Sequence, residues 1–132
     1  MDEVALLRKR FEDEDRYHRA LGIKLLDLKA GQATLSMTID EKLYNFQGSG
    51  HGGAIFSLAD TAFGLACNSH GYEAVALTAS IDYCAPARPG DTLTATAVET
   101  RRTRRTGYCD ITVTGGDGAL IATMRGISYR KD

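Results

Sequence analysis

Asp60 sits in the middle of an apolar run that opens at Gly50-His51-Gly52-Gly53 and continues from Ala54 through Phe56, Leu58, Phe63 and Cys67 to Asn68. A carboxylate among Phe56, Leu58, Ala59, Ala62 and Phe63 is costly unless something pairs with it or uses it. Used, it would act as a general base or as a nucleophile toward an electrophilic carbon. His51-Gly52-Gly53 is the second feature. A helix start leaves backbone N–H groups unpaired and carries partial positive charge, and glycines let a substrate approach that backbone. Such a start makes an anion or oxyanion site. Each feature has a plain structural explanation: a carboxylate facing a polar gap, and a flexible helix entry. Their occurrence together favours a site.

Spacing adds a constraint. Gly52 and Asp60 are eight residues apart, which on one helix is about 12 Å along the axis. A base and an oxyanion donor both work within roughly 3 Å of the atoms they serve. One straight helix does not bring its own pair that close. A two-fold mate running antiparallel brings Gly52 of the partner subunit beside Asp60, so joint action implies an obligate dimer with its site at the interface.

The elements follow from periodicity. From Gly53 to Asn68 the chain is apolar on nearly every face, which predicts a helix buried all round. Residues 3–20 carry Val4, Leu7 and Phe11 among many charges, which predicts one amphipathic helix stopped at Leu21-Gly22. Strands are expected over Ile23–Leu28 and Ala33–Ile39, joined at Ala30-Gly31, then a polar loop over 40–50. His70-Gly71 stops the long helix. Val75–Cys84 alternates Leu77, Ala79, Ile81 and Tyr83 against Thr78, Ser80 and Asp82. Thr92–Thr100, Gly107–Thr114 and Ala119–Tyr129 complete the series, with a turn at Gly115-Gly116-Asp117-Gly118. Helix, two strands, long helix, four strands is an α+β order, with an antiparallel sheet curled around the long helix.

Composition narrows the class. The 132 residues fit one domain, 1–132, with no repeat or low-complexity tract. A formal net charge of −1 gives no support for general nucleic-acid binding. Cys67, Cys84 and Cys109 are too few for a disulfide framework and read as reduced core residues, which points to the cytosol. The acidic Met1-Asp2-Glu3-Val4 start lacks an apolar signal region, and no run approaches the roughly 18 apolar residues of a membrane span. His18 and His70 are expected at the surface or at helix ends. No His/Cys spacing fits zinc, no phosphate-binding glycine loop is present, and no metal is expected.

Asn45-x-x-Gly48-x-x-His51-Gly52-Gly53, then an apolar helix with its acid nine residues after the histidine, resembles the pattern of the hotdog-fold acyl-CoA thioesterases of the phenylacetic-acid-degradation (PaaI-type) group. Ile81-Asp82-Tyr83, Pro86-Ala87, Gly90-Asp91 and the Gly118–Gly126 stretch resemble it too, so the likeness covers nearly all of the chain after residue 20. Ser49-Gly50 departs from it, since the family usually has apolar residues there. The resemblance implies a hotdog fold, hydrolysis of acyl-CoA without metal or organic cofactor, and a homodimer or dimer of dimers. It implies Asp60 as the catalytic acid, Gly52 as the N–H that polarises the thioester carbonyl, and Asn45 as the amide that positions substrate or water. It implies His51 as a catalytic-site residue that shapes the loop and contacts the thioester region. Thr78, with Ser80 a close alternative, orients water from the strand after the helix.

Thr100-Arg101-Arg102-Thr103-Arg104-Arg105-Thr106 is the one basic cluster, and as a bare charge run it is a solvated turn. Coenzyme A offers phosphates that arginine binds well. Arg104, Arg105 and Thr106, and more weakly Arg88, are the expected CoA contacts. Gly53 and Tyr83 are expected against substrate, with Phe56 and Phe63 near an acyl tunnel. Two rival readings remain open: a hotdog enoyl-thioester hydratase or dehydratase, and a non-catalytic acyl-CoA-binding protein.

Overall fold

The structure, a computed structural model, describes residues 2–131; Met1 and Asp132 lie outside it. The chain runs α1 (Glu3–Glu14), α2 (Arg16–Leu21), β1 (Lys24–Lys29), β2 (Gln32–Thr38), a short 3-10 turn (Glu41–Leu43), α3 (Gly52–Cys67), β3 (Ala74–Tyr83), β4 (Thr92–Arg102), β5 (Thr106–Thr114) and β6 (Leu120–Arg130). The strands form one sheet in the order β1-β2-β4-β5-β6-β3, every neighbouring pair antiparallel. α3 packs across all six strands, as the expected architecture requires.

Alternation builds the core. Ala33, Leu35 and Met37 of β2, with Ile39 just past it, are at most 1% exposed, as are Leu93, Ala95 and Ala97 of β4 and Ile111 and Val113 of β5. They meet Leu58, Ala59, Ala62, Phe63 and Ala66 of α3. Gly126 of β6 lies directly over Phe63: a Cβ there would stand 2.7 Å from the ring, so only glycine lets the ring press against the strand.

Four expectations need correction. The N-terminal helix is broken at Asp15, whose carboxylate accepts the His18 N–H at 3.0 Å and so caps a separate α2. His18 is buried, not superficial; its ring stacks on Phe11 with centroids 4.0 Å apart and pins α2 to α1. Cys84 is exposed, whereas Cys67 and Cys109 are buried, where desolvation pushes their thiols up to about 11 and about 12. α3 is not buried all round. Gly53 and Asp60 are exposed, and Phe56, Ser57, Thr61, Gly64 and Asn68 are half-buried, so one stripe of the helix stays open. The stripe recurs at three and four residues, one face of a 3.6-residue turn.

β3 is an edge strand. A bulge between Ala76 and Thr78 interrupts its pairing with β6, and Val75, Leu77 and Tyr83 remain 46%, 56% and 51% exposed. Among the described residues no helix is long and apolar enough to cross a membrane. Nor does any group of three His, Cys, Asp or Glu side chains gather as a metal site among them.

Candidate active site

The loop before α3 is held by its own backbone. Asn45 Oδ1 accepts the N–H groups of Gln47 at 2.9 Å and Ser49 at 3.1 Å, and Asn45 N–H donates to Ser49 O at 2.7 Å. This Asx turn occupies the side-chain oxygen and leaves Nδ2 as a donor without a partner among the described residues. Gly50 fits tightly against Ala87 and Ile39, where a Cβ would stand 2.8 Å from the Ala87 Cβ, and its N–H donates to Ala87 O at 2.9 Å. His51 N–H donates to Leu43 O at 2.7 Å. The entry to α3 is therefore fixed, not the flexible hinge its glycines allow.

The helix tip can be accounted for group by group. His51 is the N-cap, and its Nδ1 accepts the Gly53 N–H at 2.8 Å, which puts the ring proton on Nε2. Ala54 and Ile55 N–H groups both donate to His51 O, at 2.9 and 3.2 Å. Of the first four donors of α3, only the Gly52 N–H has no acceptor among the described residues. Tyr83 Oη donates to Gly52 O at 3.0 Å and its ring lies against Gly52. The structure thus brings Asn45, His51, Gly52, Gly53 and Tyr83 together at one end of α3.

Asp60 is elsewhere on the same helix, about two turns on. It lines a cleft of about 620 Å³ between α1, α2, the open stripe of α3 and the start of β3. Its carboxylate opens to this cleft, yet desolvation by its surroundings raises its pKa above the ordinary carboxylate value. Tyr17 of α2 reaches Ser57, one turn before Asp60, with Oη 2.9 Å from Oγ. Sequence reasoning missed Tyr17: forty residues separate it from Ser57 and no local pattern links them.

Other expected residues are not brought to Asp60. Gly126 faces α3, so its strand partner Ala79 does as well, and Thr78 and Ser80 on either side of Ala79 point to the opposite face of the sheet. Phe63 is 1% exposed and belongs to the core rather than to a tunnel. Arg104, Arg105 and Thr106 form the β4–β5 hairpin, where Arg105 O accepts the Arg130 N–H, beside Ala74 and the Asn68 cap of α3. That is the far end of α3, about 24 Å along the axis from Gly52. Arg88 instead follows Ala87, beside the helix tip, and pairs with Asp117 at 3.3 Å on the surface.

The thioesterase superfamily profile matches residues 47–122, which span this loop, α3 and the strands up to the start of β6. The chain belongs to the thioesterase superfamily. Within that superfamily it is 42% identical over 118 residues to the acyl-coenzyme A thioesterase PaaI of Escherichia coli K12, covering 89% of this chain and 84% of that one. The structure of the E. coli PaaI protein from the phenylacetic acid degradation operon superposes with a TM-score of 0.95 at 38% identity, over 98% of this chain and 94% of the other. A Streptococcus mutans UA159 protein bound to acetyl-CoA superposes with a TM-score of 0.80 at 29% identity, over 83% and 88% of the two chains. The fold is the hotdog thioesterase fold, and the chain is a thioesterase by family.

Proposed function

We propose that the chain hydrolyses acyl-CoA thioesters at a site shared by two copies, Asp60 of one facing the partner's Gly52. The single observation behind this is the unspent Gly52 N–H, left over when His51 has satisfied every other donor at the tip. A thioester carbonyl oxygen fits it, and the charge developing there in the transition state strengthens the bond. Asp60 takes a proton from water as the water oxygen attacks the carbonyl carbon. The tetrahedral intermediate then collapses, the C–S bond breaks, and the proton passes from Asp60 to the departing CoA thiolate. Direct attack by Asp60 gives an anhydride instead; label from ¹⁸O-water appears in the Asp60 carboxyl after one turnover only by that route. No step passes through a metal or an organic cofactor. The PaaI relative's acyl-CoA thioesterase activity and the acetyl-CoA bound to the S. mutans protein support the choice of substrate.

The dimer has its own support. β3 offers a ten-residue edge with Val75 and Leu77 exposed, a surface that pairs readily with a second copy. Antiparallel copies of α3 that set Asp60 against the partner's tip leave the Arg104-Arg105-Thr106 hairpin about 12 Å along the axis beyond that tip and the partner's Arg88 beside it. Hairpin and Arg88 are then two separate positive rims flanking the thioester, suited to the CoA phosphates. Asn45 Nδ2 and Tyr83 complete the tip around the substrate, and Thr78 stays outside, its side chain turned away. Assembly of dimers into a tetramer in the cytosol, where Cys67 and Cys109 stay reduced, completes the reading.

The test is a panel of acyl-CoA substrates read by free thiol release, with sedimentation on the same samples. Turnover by a dimer or larger species is expected. Leu77→Lys, which places a charge on the β3 edge, is expected to release monomer and to lower kcat/KM at least about a hundredfold, because each site loses its oxyanion donor. A fully active monomer, wild type or variant, would sink the shared site.

A further inference from the structure

Gly64 stands inside α3, one turn past Asp60 on the same open stripe. Glycine in a helix interior is less stable than alanine, so it calls for a reason. Packing within the chain supplies none: a Cβ on Gly64 meets nothing within 4 Å. Gly53, at the start of the same helix, does have such a reason, since a Cβ there would stand 3.1 Å from His51 Nδ1. Gly64 lines the cleft that holds Asp60, together with Leu7, Phe11, Tyr17 and Val75.

We propose that the open space over Gly64 is the acyl pocket of the thioesterase, that Gly64 sets the bulk of acyl group accepted, and that the group is uncharged. The proposal rests on the acyl-CoA reading of the same site. Two arms of the substrate compete for this cleft, and charge decides between them. Glu14, Asp15, Asp60 and Glu73 line it; among the described lining residues the one cation is Arg10, paired with Glu73 at 3.2 Å, and Lys131 reaches the same Glu73 from outside the lining at 3.6 Å, so three of the four carboxylates keep no Lys or Arg partner. A wall of that sign repels the polyanionic nucleotide end of CoA and any carboxylated acyl group. None of Arg88, Arg104 and Arg105 lines the cleft, so the CoA arm runs outside over the positive rims. Leu7, Phe11, Leu65 and Val75 give the remaining space an apolar wall for carbon.

The experiment compares wild type, Gly64→Ala and Gly64→Leu. Turnover is measured on acetyl-, hexanoyl-, phenylacetyl- and succinyl-CoA. Binding is measured with non-hydrolysable 2-oxopropyl- and 2-oxoheptyl-CoA, which need no turnover. Melting temperature and sedimentation are recorded alongside. Gly64→Ala is expected to melt higher, because a helix-interior glycine is relieved without a clash. Gly64→Leu is expected to lose about tenfold or more on hexanoyl- and phenylacetyl-CoA and on 2-oxoheptyl-CoA binding, with acetyl-CoA and 2-oxopropyl-CoA within about twofold. Succinyl-CoA is expected to be the poorest substrate of wild type relative to its size.

Equal losses across all acyl groups would overturn the proposal and give the cleft to the CoA arm. A change of assembly state in Gly64→Leu would overturn it in favour of a seat for a second helix. Unchanged discrimination, or good use of succinyl-CoA, would overturn it outright. Wild type that binds the ketone analogues with Gly64-dependent discrimination but turns over no thioester would instead remove the hydrolase reading and keep the pocket.

Discussion

Asp60→Asn lowers kcat for acyl-CoA hydrolysis by at least about a hundredfold while the fold is retained. The amide has the shape of the carboxylate but neither accepts a proton from water nor attacks carbon. Nothing in the packing of α3 depends on the charge, since Asp60 makes no ion pair among the described residues and lies on the open stripe. Desolvation raises the Asp60 carboxyl above its ordinary value, so kcat/KM falls as pH drops through that raised value. The same shift carries a sign for stability. A carboxyl whose folded pKa exceeds its unfolded one adds stability that is complete below the unfolded value and is lost as pH rises through the folded value. At neutral pH the ionised Asp60 is therefore a cost, and Asp60→Asn melts higher there than wild type, the gap closing in acid. Thiol-release kinetics and melts at about pH 7 and about pH 4 check both halves. Unchanged turnover removes Asp60 from the mechanism.

Phe63→Ala destabilises the fold by about 3–5 kcal/mol. The ring is 1% exposed and fills the space between α3 and the strand backbone at Gly126. Glycine supplies no side chain to fall into the void, and Ala62, Ala66 and Ala122 nearby in the core are too short to do so. The cavity therefore stays open, which puts the loss toward the upper part of the range for such truncations. Urea unfolding with an unchanged m-value reads the difference directly. A loss below about 1 kcal/mol would show that the site collapses and that the ring does not organise the packing.

The two helix-level features were legible because they are local. α3 follows from an unbroken run of apolar helix formers, and its observed bounds, Gly52–Cys67, lie within one residue of those expected. The tip follows from His51-Gly52-Gly53, although the sequence shows only glycines and not that His51 Nδ1 takes one donor and leaves another. What was not legible depends on partners distant in the chain. Asp15 breaks the first helix because its side chain offers His18 N–H a cap, an option that apolar spacing does not weigh against continuing the helix. The side of the sheet on which Thr78 falls is set by its register with β6, which the β3 alternation alone cannot assign. Asp60 reads as enclosed because its neighbours in sequence are apolar, yet a helix laid on a sheet turns one stripe away from it.

The strand order carries a consequence for how the chain is made. β3 leaves α3 in the middle of the sequence, but among the described residues its one neighbour in the sheet is β6, the sixth strand in chain order. Until Leu120–Arg130 has emerged, β3 has no hydrogen-bonding mate and β5 has only one, so nascent chains expose two unfinished edges at once. The closing step is a long-range insertion of the C-terminal strand between them, slow by topology. A ribosome that stalls before β6 leaves a product with α3 formed, Phe63 uncovered and no means of completing the sheet.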